Sequence, residues 1–271
     1  MMRDTRLEEF LNILKLPARP AGPNEEVFRI LKEPRNVRRI LKELYGIEKF
    51  DKICSRKVNP YSTIKLEVAA GQDHFSLYAK VAGMKCLKEC LGIELSNMLT
   101  ERKLPYLLCE DVVITEDIGD TLDEWIDYIK ESEGYAYNYG MLEEFSKPIG
   151  LGDRCSQNIV VRDNKELWHI DFEWSFAYVS RTDPMLSRYR PLSKHSKAKK
   201  QGTKDAKIIV KENLENNLSR LKKILQCLNE TAYLSIRGHE LPMHDPKDIL
   251  INYSGANGWK SIEKELKGIK Y

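Results

Sequence analysis

The chain has 271 residues, 42% of them hydrophobic, which is enough apolar material to bury a core and excludes a disordered polyelectrolyte. Charged residues make up 31% and nearly balance at a formal charge of +3, so no partner follows from the total and only local clusters carry information. No apolar run approaches the roughly 20 residues of a membrane span, and the six cysteines, at 54, 86, 90, 109, 155 and 227, form no CxxC pair or regular framework. With no signal-peptide pattern ahead of them they read as reduced thiols of a soluble, cytoplasmic protein. Cys86 and Cys90 stand four apart on a predicted helix but lack the His or Cys neighbours that would complete a metal set, so they read as small buried hydrophobes.

Leu7, Phe10, Leu11 and Leu14 recur at helical spacing and predict an amphipathic helix over 4–15, ending before Pro17. From Asn24 to Tyr45 the apolar residues Val27, Phe28, Leu31, Val37, Ile40, Leu41 and Leu44 predict helix again, split in two by Pro34. Arg35, Arg38, Arg39 and Lys42 crowd the second of these, which is equally the pattern of a solvated face and of a contact for an anionic partner. Beyond Phe50 the period changes. Lys52-Ile53-Cys54, Thr63 to Val68 and Phe75 to Val81 read as three strands of an antiparallel meander, with Ser55 to Pro60 looping between the first two. A helix from about Met84 to Leu99 follows, with Leu87, Leu91, Leu95 and Met98 as its buried stripe and Glu89 and Glu94 among its acids. Tyr106 to Cys109 and Val112 to Thr115 are two more strands, Glu116 to Asp120 breaks the pattern, and a capped helix through Leu122, Trp125, Ile126 and Ile129 comes next.

The loop Gly150-Leu151-Gly152-Asp153-Arg154-Cys155-Ser156-Gln157-Asn158 then runs into the apolar Ile159-Val160-Val161. A polar turn at Arg162 to Lys165 leads into Leu167-Trp168-His169-Ile170-Asp171-Phe172. Two strands joined by that turn bring Asp153, Asn158 and Asp171 to one end of a hairpin. Singly, each would serve a turn, as most Asp and Asn residues do. Arg181 to Lys211 is polar and basic and is not expected to pack as core. A long helix over 205–229 carries Leu214, Leu218, Leu221, Leu225 and Leu228 as a packing seam, and a turn at Ser254 to Gly258 precedes a short helix with Ile262 and Leu266.

Five strands with a helix inserted after the third, a lysine on that third strand, a connector, and then an Asp, Asn, Asp set resemble the layout of the protein-kinase-like fold. Asp153 and Asn158 stand at the D-x-x-x-x-N offset of a kinase catalytic loop, and Asp171-Phe172 stands where the metal-binding Asp-Phe-Gly is found. The wording Gly152-Asp153-Arg154 and His169-Ile170-Asp171-Phe172 looks most like the phosphatidylinositol-kinase branch and its atypical-kinase relatives, over roughly residues 48–180. The resemblance implies a bilobal α+β fold. In it, 1–47 is an N-terminal helical extension, 48–118 an N-lobe with a five-stranded antiparallel sheet, and 119–271 a mainly helical C-lobe with a basic segment at 186–211.

It also implies ATP and Mg²⁺. Lys80 would meet the ATP phosphates and pair with a helix glutamate, Glu89 first and Glu94 second. Asn158 and Asp171 would hold the metal, whose hard charge suits amide and carboxylate oxygens. Asp153 would orient or deprotonate an acceptor hydroxyl with Arg154 steadying the loop, and the main chain of Glu116 and Ile118 would receive adenine. The chain departs from the family pattern twice. Ser55, Lys57 and Asn59 stand in place of a Gly-rich phosphate loop, and Glu173 replaces the glycine after Asp171-Phe172.

The short connectors after Asp171 do not favour a protein substrate. Arg35, Arg38 and Arg39 with Arg188, Arg190, Lys194, Lys197, Lys199 and Lys200 are the electrostatic footprint of a nucleic-acid partner. The first expectation is therefore an ATP-dependent kinase acting on RNA, similar to the archaeal tRNA kinases that phosphorylate a ribose 2′-hydroxyl, with no obligate protein partner indicated. The alternatives are a kinase of a small metabolite or inositol headgroup, and a non-catalytic scaffold that binds nucleotide or RNA.

Overall fold

Alternation of apolar and polar residues fixes the first half of the structure. The computed structural model describes residues 34–58, 63–81, 85–109, 112–125, 132–152, 156–162, 165–172, 175–176, 195–227 and 244–270. Among them are six α-helices and a five-stranded antiparallel sheet, an α+β architecture. The predicted helix at 4–15, and the half of the next one that precedes Pro34, lie outside the described residues. The chain divides into two compact units: one runs to Cys90 and takes in Leu104–Asp117, and the other consists of Leu91–Lys103 and everything from Ile118 onward.

In the first unit, strands β1 (Lys52–Lys57), β2 (Thr63–Ala70), β3 (Asp73–Val81), β4 (Tyr106–Cys109) and β5 (Val112–Glu116) lie in the order β1-β2-β3-β5-β4, every pair antiparallel. Side chains alternate across a strand, so the register sorts them by face. Ile64 and Leu66 of β2, Leu77 and Ala79 of β3, and Val112 and Ile114 of β5 share one face and are all buried. Helix α1 (Pro34–Tyr45) covers that face through Ile40, with Leu44 and Tyr45 packed alongside, while Val37 and Leu41 close over Val68. The Tyr45 ring meets Phe75 at 4.3 Å between centroids. Pro34 opens α1, where its fixed φ suits a first turn, and the helix is part of the sheet's own core.

Strand β1 extends further than predicted. Ser55 pairs with Leu66 and Lys57 with Ile64, and the Val58 N–H donates to the Thr63 carbonyl at 2.9 Å. Ser55 and Lys57 are thus ladder residues of β1, because β2 alternates through Ala70 and offers them a continuous partner. Asn59 lies outside the described residues.

Helix α2 (Lys85–Leu99) spans the sequence division between the units. It buries Cys90, Leu91, Ile93, Leu95, Met98 and Leu99, more than the single stripe that the spacing predicts.

The second unit holds a short sheet in the order β6 (Asp120–Thr121), β7 (Ile159–Val161), β8 (Leu167–His169), with a 3₁₀ turn at Leu122–Trp125. The helix expected from Leu122 is described only as that turn, and 126–131 lie outside the described residues. Helices α3 (Glu133–Ser146), α4 (Ser196–Cys227), α5 (Pro246–Ala256) and α6 (Lys260–Lys267) complete the unit. α3 and α5 have no counterpart in the predicted elements, and Ser254 to Ala256 belong to the last turn of α5 instead of a loop. At 32 residues, α4 starts nine residues before the helix predicted at 205. Ala198, Gly202, Ala206 and Val210 recur every fourth residue among its lysines, and the last three are buried. The expectation that this basic run stays out of the core is therefore corrected.

The α3–α4 contact is close because both helices present glycine. A Cβ on Gly202 would press on the Tyr137 carbonyl and lie 3.2 Å from the Tyr137 Cα, and one on Gly140 would lie 3.1 Å from the Thr203 nitrogen. Around it, Lys199 pairs with Glu143 at 2.6 Å and the Tyr137 hydroxyl donates to Asp205 at 3.0 Å. Backbone cannot yield as a side-chain tip can, so Gly202→Ala is expected to lower stability by about 1–3 kcal/mol, the usual range for overpacking. Denaturant unfolding would measure it as a lower midpoint at unchanged slope.

Candidate active site

Two groups of residues carry chemistry, one in each unit. In the first, Lys80 stands one residue from the end of β3, opposite Thr63 of β2 and Val113 of β5. Its ammonium lies 3.6 Å from the Glu89 carboxylate of α2, with side-chain exposures of only 14% and 5%. Two charges so far removed from water are costly to desolvate, so the pair is weak evidence for stability and better evidence for a function. Of the two predicted glutamates the structure selects Glu89; Glu94, a turn and a half further along α2, pairs with Arg220 of α4.

The register places Lys80, Tyr78 and Ser76 on the face of the sheet away from α1, together with Lys65 and Glu67 of β2 and Cys54 of β1. A hollow of about 490 Å³ opens there, lined by Lys52, Cys54, Lys65, Glu67, His74, Ser76 and Asp117 among others. Asp117, just after β5, is held in place: its carboxylate pairs with Lys65 and accepts from the Ser76 hydroxyl at 3.0 Å. Lys65 also lies 5.4 Å above the Tyr78 ring. Of the main-chain groups expected to meet adenine, the Glu116 N–H donates to the Pro105 carbonyl at 3.4 Å, and the Ile118 carbonyl accepts from Arg162 at 3.1 Å. Gly119 follows with φ of 144°, where a Cβ would come within 2.7 Å of the Val161 carbonyl oxygen.

In the second group the hairpin forms as predicted. Ile159 pairs with His169 and Val161 with Leu167, and the Ile170 N–H donates to the Asn158 carbonyl at 2.9 Å. Asn158 and Asp171 are therefore neighbours at one end of the hairpin. Asp171 has φ of 60°, the left-handed region that L residues rarely enter. Asp tolerates it better than most, yet the conformation costs free energy, and such residues concentrate at functional sites. Phe172, buried, anchors the turn from one side. His169 is also buried and approaches the Leu142 carbonyl at 3.4 Å through Nε2. Asp153, Arg154 and Glu173 lie outside the described residues.

Gly92 is the residue that the sequence signal passed over. A Cβ there would run into Ser175 and lie 2.9 Å from the Phe172 Cβ, so α2 can approach the Asp171-Phe172 segment only without a side chain at this point. A glycine inside a helix costs roughly 1 kcal/mol relative to alanine, and that cost is the signal that marks a close approach.

Among the described residues no three His, Cys, Asp or Glu side chains gather into a metal site. Asn158 and Asp171 nevertheless suit a hard divalent cation: both offer oxygen donors, and the Ile170 N–H bond to the Asn158 carbonyl brings the two positions to the same end of the hairpin.

Of the predicted polyanion contacts, Arg35, Arg38 and Arg39 are exposed on α1, and Lys197 and Lys200 are exposed on α4. Lys199 is committed elsewhere, to the Glu143 carboxylate and the face of Tyr139 at 4.8 Å, because its position on α4 turns toward α3. Lys204 and Lys211 continue the exposed stripe of Lys197 and Lys200 along the same helix. Arg188, Arg190 and Lys194 lie outside the described residues.

No protein-family model matches the chain, and no curated protein matches it significantly.

Proposed function

We propose that the protein is an ATP-dependent phosphotransferase whose acceptor is a hydroxyl of RNA, with a tRNA ribose 2′-hydroxyl as the best candidate. The observation that carries the reading is the Lys80–Glu89 pair, a strand lysine and an inserted-helix glutamate buried together at 3.6 Å. Kinases use such a pair to hold the phosphates of ATP. The hollow on the same face of the sheet, lined by Ser76 and Asp117 and not by Lys80 itself, leaves room along the strand that carries the lysine. The neighbouring Asn158 and Asp171, with the strained φ of Asp171, support the metal half.

In this reading Lys80 offsets charge on the phosphates and Glu89 fixes where its ammonium points. Asn158 and Asp171 hold Mg²⁺, which when bound neutralises charge on the phosphate oxygens. Asp153 accepts the hydroxyl proton as the acceptor oxygen bonds to the γ-phosphorus, the bond from that phosphorus to the β–γ bridging oxygen breaks, and ADP leaves with that oxygen. The exposed cations at Arg35, Arg38, Arg39, Lys197, Lys200, Lys204 and Lys211 supply the sequence-independent attraction that an RNA backbone requires.

Incubation with γ-labelled ATP and Mg²⁺ against separate RNA, protein, lipid and metabolite pools tests the proposal. RNA is expected to take the label, less of it as salt rises. Label in a small alcohol or an inositol headgroup, with none in RNA, would overturn the acceptor, and no label in any pool would overturn the enzyme.

A further inference from the structure

The carbonyls at the end of a helix have no partner within it, and whatever caps them decides how firmly the helix is held. α2 ends at Leu99; the Thr100 hydroxyl caps the Ser96 carbonyl at 2.8 Å, but the side chains that reach the Met98 and Leu99 carbonyls come from α4, more than a hundred residues later. The Asn213 amide donates to the Leu99 carbonyl and the Asn217 amide to the Met98 carbonyl, each at 3.3 Å. Asn217 also donates to the Asn213 carbonyl at 2.9 Å, which holds the amide in place. One turn further along α4, Arg220 pairs with Glu94 of α2. Positions 213, 217 and 220 are spaced to share one face of α4, and all three address the same half of α2.

Leu95, Met98 and Leu99 of α2 and Leu214 and Leu221 of α4 are buried as well, but burial of apolar surface is non-directional. What the polar contacts add is register: amides and a guanidinium fix how far a helix slides and turns, which apolar packing does weakly. Glu89 lies on the same continuous helix, between the Lys85 start and the clamped end. A shift or rotation of α2 would carry its carboxylate off the Lys80 ammonium.

We infer that α4 clamps α2 and that Asn213, Asn217 and Arg220 are positioning residues for Glu89, and hence for Lys80, in the proposed transfer. The inference rests on the phosphotransferase reading and adds a determinant of its rate outside the substrate contacts.

The test pairs Asn213→Asp/Asn217→Asp, which removes the donated N–H groups at nearly constant shape, with Arg220→Ala, an exposed position expected to fold normally. Each is made in the wild-type background and in Glu89→Gln. In the wild-type background kcat should fall about 10- to 100-fold, in line with the cost of misplacing a catalytic group by an ångström, while KM for the acceptor stays put. In Glu89→Gln the same changes should lower kcat no further, because the group they position is already lost. Hydrogen exchange at the α2 amides should also quicken in each variant. An equal fold-loss in both backgrounds would overturn the positioning role and leave a structural one. Unchanged exchange in α2 would overturn the clamp itself. Absence of transfer by the wild-type chain would overturn the proposed function, and the exchange result alone would then judge the clamp.

Discussion

Asp171→Asn is expected to lower phosphoryl transfer by about 10²–10³-fold, the scale of removing one preorganised charge partner from a transition state, while leaving the fold intact. The substitution is chosen for its backbone. Asp171 sits at φ 60°, and Asn is among the few residues that enter this region readily, so the hairpin end and the burial of Phe172 survive the change. Only the negative charge goes. An amide oxygen is a weaker donor than a carboxylate to a hard cation, so the variant should also need more Mg²⁺ for half-maximal rate. Steady-state rates against Mg²⁺ concentration, with circular dichroism for the fold, measure both. Asp171→Gly is the control, since it relaxes the backbone and removes the donor. If the strain served only the turn, Gly would be the more stable variant and both would keep activity.

Lys80→Met and Glu89→Gln separate stability from catalysis. Removing one member of a buried ion pair leaves its partner's charge less well compensated, which costs up to about 3–5 kcal/mol in buried cases. Lys80→Met should therefore destabilise the first unit, and the double variant Lys80→Met/Glu89→Gln should recover much of that loss. Activity should not follow stability. Lys80→Met and the double variant should both transfer phosphate at about 10²–10³-fold lower rate, whereas Glu89→Gln keeps the ammonium and should lose less. Denaturant midpoints and kcat for the set of four decide between a pair kept for catalysis and one kept for structure. Activity that recovers along with stability in the double variant would assign the pair a structural role.

The sheet of the first unit was legible because its strands alternate strictly: Ile64, Leu66 and Val68 against Lys65 and Glu67 leave one choice of face. Its helical cover was legible as a helix through Val37, Ile40 and Leu41, but periodicity alone does not say which surface such a stripe covers. In the second unit, α3 is not among the predicted elements; it contains Gly134 and Gly140, and its buried stripe is built on Tyr135, Tyr139, Leu142 and Phe145. Gly140 is tolerated in that helix because the α4 backbone passes against it. The same contact explains the early half of α4, where lysines mask the small residues that make a close crossing possible. For the site, the offset of Asp153, Asn158 and Asp171 was visible in the chain. Which glutamate meets Lys80 was not, because α2 is buried on several sides and its apolar residues do not fix its rotation. The left-handed turn at Asp171 has no sequence mark either, since Asp is common in every kind of turn.

The most direct test of the central claim is to incubate the wild-type chain with γ-labelled ATP, Mg²⁺ and bulk tRNA, digest the RNA, and identify the labelled nucleotide. Label is expected on a ribose 2′-hydroxyl, absent without Mg²⁺ and about 10²–10³-fold lower in Asp171→Asn. Unlabelled RNA, with ATP intact, would contradict it.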